Sequence, residues 1–475
     1  MAGRLVAVSN RVADPRKLGA GGLAVALGEL LNTSGGLWFG WNGKITDDPS
    51  GGLHLQRAGK VTLATIGLSR ADHDAYYLGY SNGVLWPVFH YRLDLADFDS
   101  ADVEAYRRVN RLMAQELLPL LRPGDIIWVH DYQMIPMAAE LRALGCDHRI
   151  GFFLHIPLPP RTILAAIPQH DRLMRSLMSY NLVGFQTQMD ADHFADYVEA
   201  ESGGQRQDRD RVGAYGRTTC VRAFPIGIDV DRLQAMAREP DSQGMAAMMR
   251  EQYSKRQVLV GVDRLDYSKG LPQRMLAFRR LLERYPENRQ SATLIQVAAP
   301  SRENVEAYAD IRSQLESLCG ALNGDFGELD WMPVRYMRRS VARRRLPGLF
   351  AASRVALVTP LRDGMNLVAK EFVASQDPDD PGVLVLSRFA GAAEQLTDAL
   401  LVNPYDTAGT ADVIQQALHM PLEERRRRHA RLMALVREFD VHWWARAYVA
   451  TLEAAPFPSG EPTADDSVNN DVERA

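Results

Sequence analysis

Eight apolar runs along the chain each end in a polar or charged residue. The runs are short and rich in aliphatic and β-branched residues, which is typical of buried strands. The residues that follow them are, in chain order, Ser9-Asn10-Arg11, His130-Asp131, His155, Gln186, Asp263-Arg264, Ser301-Arg302, Arg362-Asp363 and Ser387-Arg388.

Segments with helical periodicity separate most of these runs, for example Ala101–Leu121 and Gly270–Tyr285. Alternating strands and helices predict an α/β fold with parallel sheets covered on both faces. Ligands of such sheets bind beyond the carboxyl ends of the strands. A single strand could end in polar residues merely because loops are exposed to solvent. Eight strands that all end in this way predict a binding site.

One run indicates the chemistry. Val355–Pro360 reads as a strand, residues 362–366 as a turn and Leu367–Gln376 as a helix. A tight loop before a helix N-terminus presents unpaired N–H groups to an anion. Asp363 and Glu371 add carboxylates that can hold hydroxyls. Backbone N–H groups that bind phosphate and carboxylates that bind sugar hydroxyls together suit a nucleotide-sugar as the ligand.

Two cations, Arg264 and Lys269, lie just beyond another strand. We expect them to clamp a diphosphate and stabilise it as a leaving group. The alternative is a surface pair that bridges Asp263 and Asp266.

The stretch Gly19–Ala24 (GAGGLA) matches the dinucleotide pattern G-x-G-x-x-A. It does not follow its strand directly, and no acidic residue stands about 20 positions further on to hold a ribose. NAD binding is therefore not expected. A Gly-rich loop that closes over a phosphate is the better interpretation.

Further candidates stand at strand ends or among aromatic residues. Arg11 and Arg302 suit a second phosphate, and Asp131 could accept a hydrogen bond from a sugar hydroxyl. Tyr77 and Trp86 could form a sugar-binding wall or a core aromatic pair. His155 could be a site residue or a buried core histidine, and both interpretations stay open.

At 475 residues the chain is too long for one core, so two domains are expected. Four runs precede and four follow Glu201–Arg217, a polar, Gly-rich stretch that reads as a surface excursion. We place the boundary near Ile228, giving two Rossmann-like lobes with a cleft between them. From Glu453 onward the composition predicts a disordered tail, 453–475.

Charge and cysteine usage narrow the class of protein. A formal net charge of −4 argues against nucleic acid or an anionic membrane as the main partner. The 3 cysteines are widely spaced without a CxxC motif, which fits a reducing cytosol and predicts neither a disulfide framework nor a zinc site. No run approaches the ~20 apolar residues of a membrane span, and the N-terminus does not read as a signal peptide.

Two segments are strongly basic. Glu423–Val449 is helical in pattern and carries Arg425–Arg428, which we interpret as a solvated helix face. Arg335–Arg345 (RYMRRSVARRR) could contact an anion or a subunit, although a surface helix is favoured.

Long strings of the chain resemble the trehalose-6-phosphate synthase family, retaining enzymes of glycosyltransferase family 20. They are SNR, AGGLA, GGLWFGW, SNGVLWPVFHYRL, IIWVHDY, GFFLHIP, RLDYSKG, TPLRDGMNLVAKE and FAGAAEQL. The resemblance implies a GT-B fold with lobes 1–228 and 229–438 facing a central cleft, and a helix, 439–452, that crosses back to the first lobe. It implies metal-free transfer of glucose from UDP-glucose to glucose 6-phosphate, with no cofactor, by a cytoplasmic homo-oligomer, a dimer or tetramer, that serves trehalose biosynthesis and osmoprotection.

The resemblance also implies roles for individual residues. The catalytic group is Arg264, Lys269, Asp363 and His155; the donor is held by Gly22, Arg264, Lys269, Val341, Asp363, Leu367, Val368, Ala369, Lys370 and Glu371, with Val341 near the uracil and Glu371 on the ribose. The acceptor is held by Arg11, Tyr77, Trp86, Asp131 and Arg302, and Trp86 and Ile156 select the anomer.

For mechanism, the resemblance implies front-face displacement, in which the departing diphosphate takes the acceptor proton. No carboxylate in the sequence stands out as the nucleophile that a double-displacement enzyme needs. Three alternatives stay open: another phosphorylated acceptor such as glycerol phosphate, coupling of cyclitols, and a sugar-phosphate sensor without activity. The last is disfavoured because a sensor does not need a leaving-group clamp.

Overall fold

The computed structural model describes residues 3–14, 22–46, 52–302 and 306–457. The chain divides into two compact units: the first comprises Met1–Phe224 and Ala445–Ala475, the second Pro225–Trp444. The first part of the first unit ends at Phe224, four residues before Ile228, the boundary predicted from the sequence. The predicted tail lies mostly outside the described residues, and its first two positions, Glu453 and Ala454, belong to a helix.

The first unit contains a ten-stranded sheet in the order β3-β4-β2-β1-β5-β6-β7-β10-β9-β8. Its seven central strands are parallel, and hairpins add β3 at one edge and β9 and β8 at the other. The strands are β1 (Leu5–Arg11), β2 (Gly36–Ile45), β3 (His54–Ala58), β4 (Val61–Leu68), β5 (Ile126–His130), β6 (Arg149–Phe153), β7 (Leu182–Phe185), β8 (Gln205–Asp208), β9 (Arg211–Ala214) and β10 (Arg217–Ala223).

Helices lie between these strands along the chain. They are α1 (Gly22–Ser34), α2 (Arg70–Asp72), a π-helix (His73–Leu85), α3 (Trp86–Phe89), α4 (Ser100–Leu117), α5 (Met137–Ala143), α6 (Arg161–Leu164), α7 (His170–Leu177) and α8 (Gln188–Glu201). The stretch Glu201–Arg217, expected to be a surface excursion, is largely exposed and contains the β8–β9 hairpin at the edge of the sheet. Alternate residues of β9 are buried, which suits an edge hairpin with one solvent-exposed face.

The second unit has a six-stranded, wholly parallel sheet in the order β13-β12-β11-β14-β15-β16. This is the doubly wound order: β12 and β13 are added on one side of β11, and β14, β15 and β16 are added on its other side. Its strands are β11 (Gln257–Arg264), β12 (Ala292–Ala299), β13 (Val334–Met337), β14 (Val355–Val358), β15 (Val383–Ser387) and β16 (Leu400–Val402). Its helices are α9 (Val230–Ala237), α10 (Pro240–Gln252), α11 (Leu271–Arg284), α12 (Glu306–Phe326), α13 (Leu346–Ala351), α14 (Leu367–Ala374), α15 (Thr407–Leu418) and α16 (Leu422–Glu438).

The C-terminal helix, α17, spans Val441–Ala454 and passes from the second unit into the first. The helical pattern of 423–449 is divided between two helices, because α16 ends at Glu438 and the Asp440 carboxylate accepts a hydrogen bond from the Trp443 N–H, 2.6 Å away. Such an N-cap starts a new helix. Tyr448 then stacks on Trp128, with ring centroids 4.3 Å apart, and donates its hydroxyl to the Phe152 carbonyl.

All eight apolar runs are strands, so the α/β fold with two parallel sheets is confirmed. Among the residues with described structure, none of the helices combines the length and the apolar character needed to cross a bilayer.

Candidate active site

Two of the predicted site residues, Arg11 and Arg264, end the strands at which the two sheets reverse their order. In the first unit β1 lies between β2 and β5, and in the second β11 lies between β12 and β14. The crevice beyond the carboxyl ends of such strands is the usual ligand site of an open α/β sheet. Arg11 ends β1 and Arg264 ends β11, so both stand at this position.

Arg11 and Tyr77 belong to one aromatic group in the first unit. The Arg11 guanidinium lies over the Trp41 ring, 5.9 Å from its centroid, and the Trp41 and Tyr77 centroids are 5.9 Å apart. His73 completes the group, 5.5 Å from Trp41. Gly43 allows the approach, because a Cβ there would come within 2.8 Å of the guanidinium. Neither Trp41 nor His73 was predicted from the sequence as a member of this group, although Trp41 ends the motif GGLWFGW.

Trp86 belongs to a different group from Tyr77. Its side chain is buried, with its ring 4.2 Å from His90 and 5.7 Å from Tyr132 by centroid. The sequence left open a sugar-binding wall or a core pair of Tyr77 and Trp86, and the structure does not bring those two rings together as a pair. The predicted anomer-selecting pair, Trp86 and Ile156, is buried at both positions.

Asp131 follows β5 with a φ of 75°, a backbone conformation that is uncommon outside glycine. Its Oδ1 accepts hydrogen bonds from the N–H groups of Tyr132 (3.1 Å) and His155 (3.2 Å). The His155 side chain is also engaged, since its Nε2 lies 3.2 Å from Nδ1 of the buried His130.

Both imidazoles are neutral at physiological pH. Burial lowers the pKa of His155 to about 3, and burial with the neighbouring His155 lowers the pKa of His130 well below its usual value. His155 is thus suited to hydrogen bonding and not to supplying a positive charge.

This pair predicts that acidification destabilises the protein. A histidine whose pKa is lower in the folded state binds fewer protons folded than unfolded, so its contribution to the free energy of unfolding is complete above pH 6.5 and is lost as the pH falls toward 3. The loss per imidazole is at most about 1.4 kcal/mol per pH unit. We expect urea midpoints to fall from pH 7 to pH 5, and less steeply in His155→Gln; parallel slopes in the two proteins would contradict this.

In the second unit Lys269 and Asp363 form a recessed ion pair. The Lys269 Nζ donates to Asp363 Oδ2 at 2.6 Å, and Asn366 Nδ2 donates to the same oxygen at 3.0 Å. Positive φ values at Gly270 and Asn366, 64° and 76°, turn the two loops toward this contact. Lys269 is buried, so the interpretation as a surface pair with the aspartates of its own loop is wrong for this residue.

Those two aspartates have other partners. Asp263 pairs with the buried Arg274 of α11 at 2.5 Å. Asp266 accepts hydrogen bonds from the Ser268 N–H (2.9 Å) and from the Tyr308 hydroxyl (2.9 Å). Arg264 is exposed at the end of β11, next to this recessed network.

Helix α14 begins after Asn366, whose side chain makes no capping hydrogen bond and donates to Asp363 instead. The first N–H groups of the helix are therefore available to a bound anion. Leu367 and Val368 are partly exposed at this end.

Lys370 and Glu371 differ in surroundings. The Lys370 side chain is buried, and its Nζ donates to the Ile226 carbonyl (2.8 Å) and Gln395 Oε1 (2.7 Å), so it packs inside the second unit. The donor contact expected at this position stays a prediction. Burial lowers the pKa of Lys370 to about 7. Glu371 is partly exposed, and desolvation, opposed by the charge of Arg343, raises its pKa to about 7.

The basic segment Arg335–Arg345 is not a surface helix. It contains the end of β13, an irregular stretch with the partly exposed Val341, and a 3₁₀ turn over Arg343–Arg345. The favoured prediction of a surface helix is therefore wrong as to the helix, although most of the segment is exposed.

Arg302 stands just beyond the carboxyl end of β12, in the same unit as Lys269. Gly22 is the first residue of α1. The rest of the Gly-rich loop before it, residues 15–21, lies outside the described residues, so its predicted closure over a phosphate stays a prediction.

Comparisons with known proteins agree over nearly the whole chain. Residues 8–454 match the model of glycosyltransferase family 20. A trehalose-6-phosphate synthase of Enterobacter sp. (strain 638) is 48% identical over 453 residues, 95% of either chain.

Two solved structures are similar throughout. One is an α,α-trehalose-phosphate synthase (UDP-forming) from Burkholderia xenovorans in complex with glucose 6-phosphate, with a TM-score of 0.92, 47% identity, and coverage of 95% of this chain and 100% of that one. The other is described as trehalose-6-phosphate from E. coli bound with UDP-2-fluoro glucose, with a TM-score of 0.91, 46% identity, and coverage of 96% and 100%.

Proposed function

The chain belongs to glycosyltransferase family 20, and on that premise we propose that it transfers glucose from UDP-glucose to glucose 6-phosphate, giving α,α-trehalose 6-phosphate and UDP. The observation that carries the proposal is the Lys269–Asp363 pair beside the α14 N-terminus. The pair brings a cation and a carboxylate together near the first N–H groups of a helix, and a nucleoside diphosphate sugar would use all three: the cation and amides for phosphate, the carboxylate for sugar hydroxyls.

The chemistry follows from the leaving group. As the bond from the glucose C1 to the diphosphate oxygen breaks, negative charge grows on the diphosphate, where Lys269 and Arg264 stabilise it. The acceptor hydroxyl attacks from the same face and passes its proton to the departing oxygen. Asp363 and His155 orient the glucose, and the neutral imidazole suits a hydroxyl partner.

The acceptor is bound by a different set. Arg11 over Trp41 and the braced Arg302 each offer a guanidinium to a phosphate monoester. Tyr77, Trp86 and Asp131 contact the sugar ring in this proposal. A guanidinium forms paired hydrogen bonds with phosphate oxygens, so these residues favour glucose 6-phosphate over glucose.

An assay of UDP release tests the reaction. With UDP-glucose alone we expect little UDP, and with glucose 6-phosphate added we expect rapid release together with trehalose 6-phosphate. Release that is equally fast with glycerol phosphate or a cyclitol phosphate, or no release with any acceptor, would overturn the proposal.

Glu371 predicts a pH-dependent affinity for the donor. Its carboxylate form accepts hydrogen bonds from ribose hydroxyls more strongly than its protonated form. Because its pKa is about 7, the site is mostly ionised at pH 8 and mostly protonated at pH 6. We expect the KM for UDP-glucose to rise about tenfold from pH 8 to pH 6 at saturating acceptor, and Glu371→Gln to flatten this profile. A wild-type KM that does not vary would contradict the assignment.

The setting of the reaction is also part of the proposal. We expect activity without a metal, as the resemblance implies, and an assay with EDTA tests this directly. We also propose a cytoplasmic location, which fits three free cysteines, and an osmoprotective role for the product, which rests on the resemblance alone. The homo-oligomer, dimer or tetramer, rests on the resemblance alone, and light scattering measures it.

A further inference from the structure

Arg302 is held in an unusual conformation. Its φ is 46°, in the left-handed region that a long side chain seldom adopts. Its guanidinium is tied down at the same time: Nη1 donates to the Tyr308 hydroxyl at 2.6 Å and lies 3.6 Å from Asp266 Oδ2. A non-glycine residue persists in this region when its surroundings over-determine it.

Tyr308, in the first turns of α12, is the centre of these interactions. Its side chain is 3% exposed, and its hydroxyl donates to Asp266 Oδ2 at 2.9 Å while accepting from Arg302. Burial and the Asp266 charge raise the pKa of Tyr308, so the hydroxyl keeps its proton and its direction of donation. The Arg302 guanidinium also lies 5.8 Å from the Tyr308 ring centroid.

Asp266 connects this group to the leaving-group region. It is fully buried, and its Oδ1 caps the 3₁₀ turn Tyr267–Lys269 through the Ser268 N–H at 2.9 Å. Lys269 then reaches Asp363. One carboxylate therefore fixes the acceptor-side arginine through one oxygen and the lysine-bearing turn through the other.

We propose that Tyr308 is a positioning residue of the transferase: its hydroxyl orients Arg302 toward the phosphate of the acceptor and so sets the affinity for sugar phosphates. The inference rests on the proposed function and deepens it, because nothing in the resemblance assigned a role to Tyr308. A fixed guanidinium loses less conformational entropy on binding than a mobile one.

Tyr308→Phe tests the inference, because it removes one oxygen and keeps the ring that packs 5.3 Å from Tyr267. We expect the KM for glucose 6-phosphate to rise about tenfold, as for the loss of one charge-assisted hydrogen bond. The KM for UDP-glucose and kcat should change less than about threefold, since Asp266 still caps the lysine turn. In an Arg302→Ala background, Tyr308→Phe should add no further increase.

The matched control is Tyr285→Phe, which also removes a hydroxyl bonded to a carboxylate, Asp412 Oδ1 at 2.8 Å, in the same unit. It should leave both KM values unchanged. Because the Tyr308 hydroxyl is the more buried of the two, thermal melts set the temperature at which both variants are folded and their KM values are compared. If Arg302→Ala raises the KM and Tyr308→Phe does not, the positioning role is overturned and the proposed function stands. An equal increase with and without Arg302 would mark a general structural effect and also overturn it. If wild type releases no UDP on addition of glucose 6-phosphate, the proposed function itself has failed.

Discussion

Lys269→Ala is expected to lower kcat about 100-fold while changing the KM for glucose 6-phosphate little. The substitution removes a recessed cation 2.6 Å from Asp363, the carboxylate assigned to the donor glucose. The charge on a departing diphosphate is then less stabilised in the transition state, which costs on the order of 3 kcal/mol. Arg264→Ala should also lower kcat, since Arg264 is the last residue of β11 and precedes the turn that carries Lys269.

Steady-state kinetics with both substrates varied separates this effect from a loss of folding. Lys255→Ala is the control, because it removes an exposed lysine of the same unit and should leave kcat unchanged. A donor analogue with a better leaving group should lose less rate in Lys269→Ala than UDP-glucose does. Turnover near that of wild type would remove the clamp from the mechanism.

The sequence predicted the strands whose signal is a continuous buried run, such as β1 and β14. It did not predict β13 or β16, because one is a half-exposed edge strand and the other has only three residues. β2 was quoted only as a motif, since its glycines and tryptophans obscure the strand pattern. Fold class could be predicted despite these omissions, because four predicted parallel strands in each unit, with helices between most of them, already specify an α/β sheet.

Side-chain partners were harder to predict than strand ends. Lys370 and Glu371 are adjacent in α14, and adjacent helical positions point about 100° apart, so their side chains meet different surroundings. The structure turns Lys370 into the core. Similarly, Lys269 pairs with Asp363, 94 positions away, and not with the aspartates of its own loop. Sequence spacing shows which groups reach a strand end, but only tertiary packing decides which charges meet.

Arg11→Ala and Arg302→Ala are each expected to raise the KM for glucose 6-phosphate roughly 10- to 100-fold, because each removes charge-assisted hydrogen bonds to the phosphate. The KM for UDP-glucose should hardly change. The two arginines are held differently: Arg11 lies exposed over the Trp41 ring, whereas Arg302 is fixed by Tyr308. The preference for glucose 6-phosphate over glucose should narrow in both variants, since discrimination rests on the group that pairs with the phosphate.

A role limited to bracing the strand ends predicts a different pattern for these arginines. Thermal stability would then fall and neither substrate would be affected selectively, so a thermal melt beside two substrate titrations distinguishes the cases. Arg57→Ala is a suitable control, because it removes an exposed arginine of β3 whose Nε donates to the nearby Gly59 carbonyl at 3.2 Å. Equal weakening of both substrates by Arg11→Ala would show that the acceptor phosphate is bound elsewhere. If only Arg302→Ala raised the KM for glucose 6-phosphate selectively, the phosphate would be bound mainly by residues of the second unit. Tyr308, acting through Arg302, would then contribute more to acceptor specificity than Arg11.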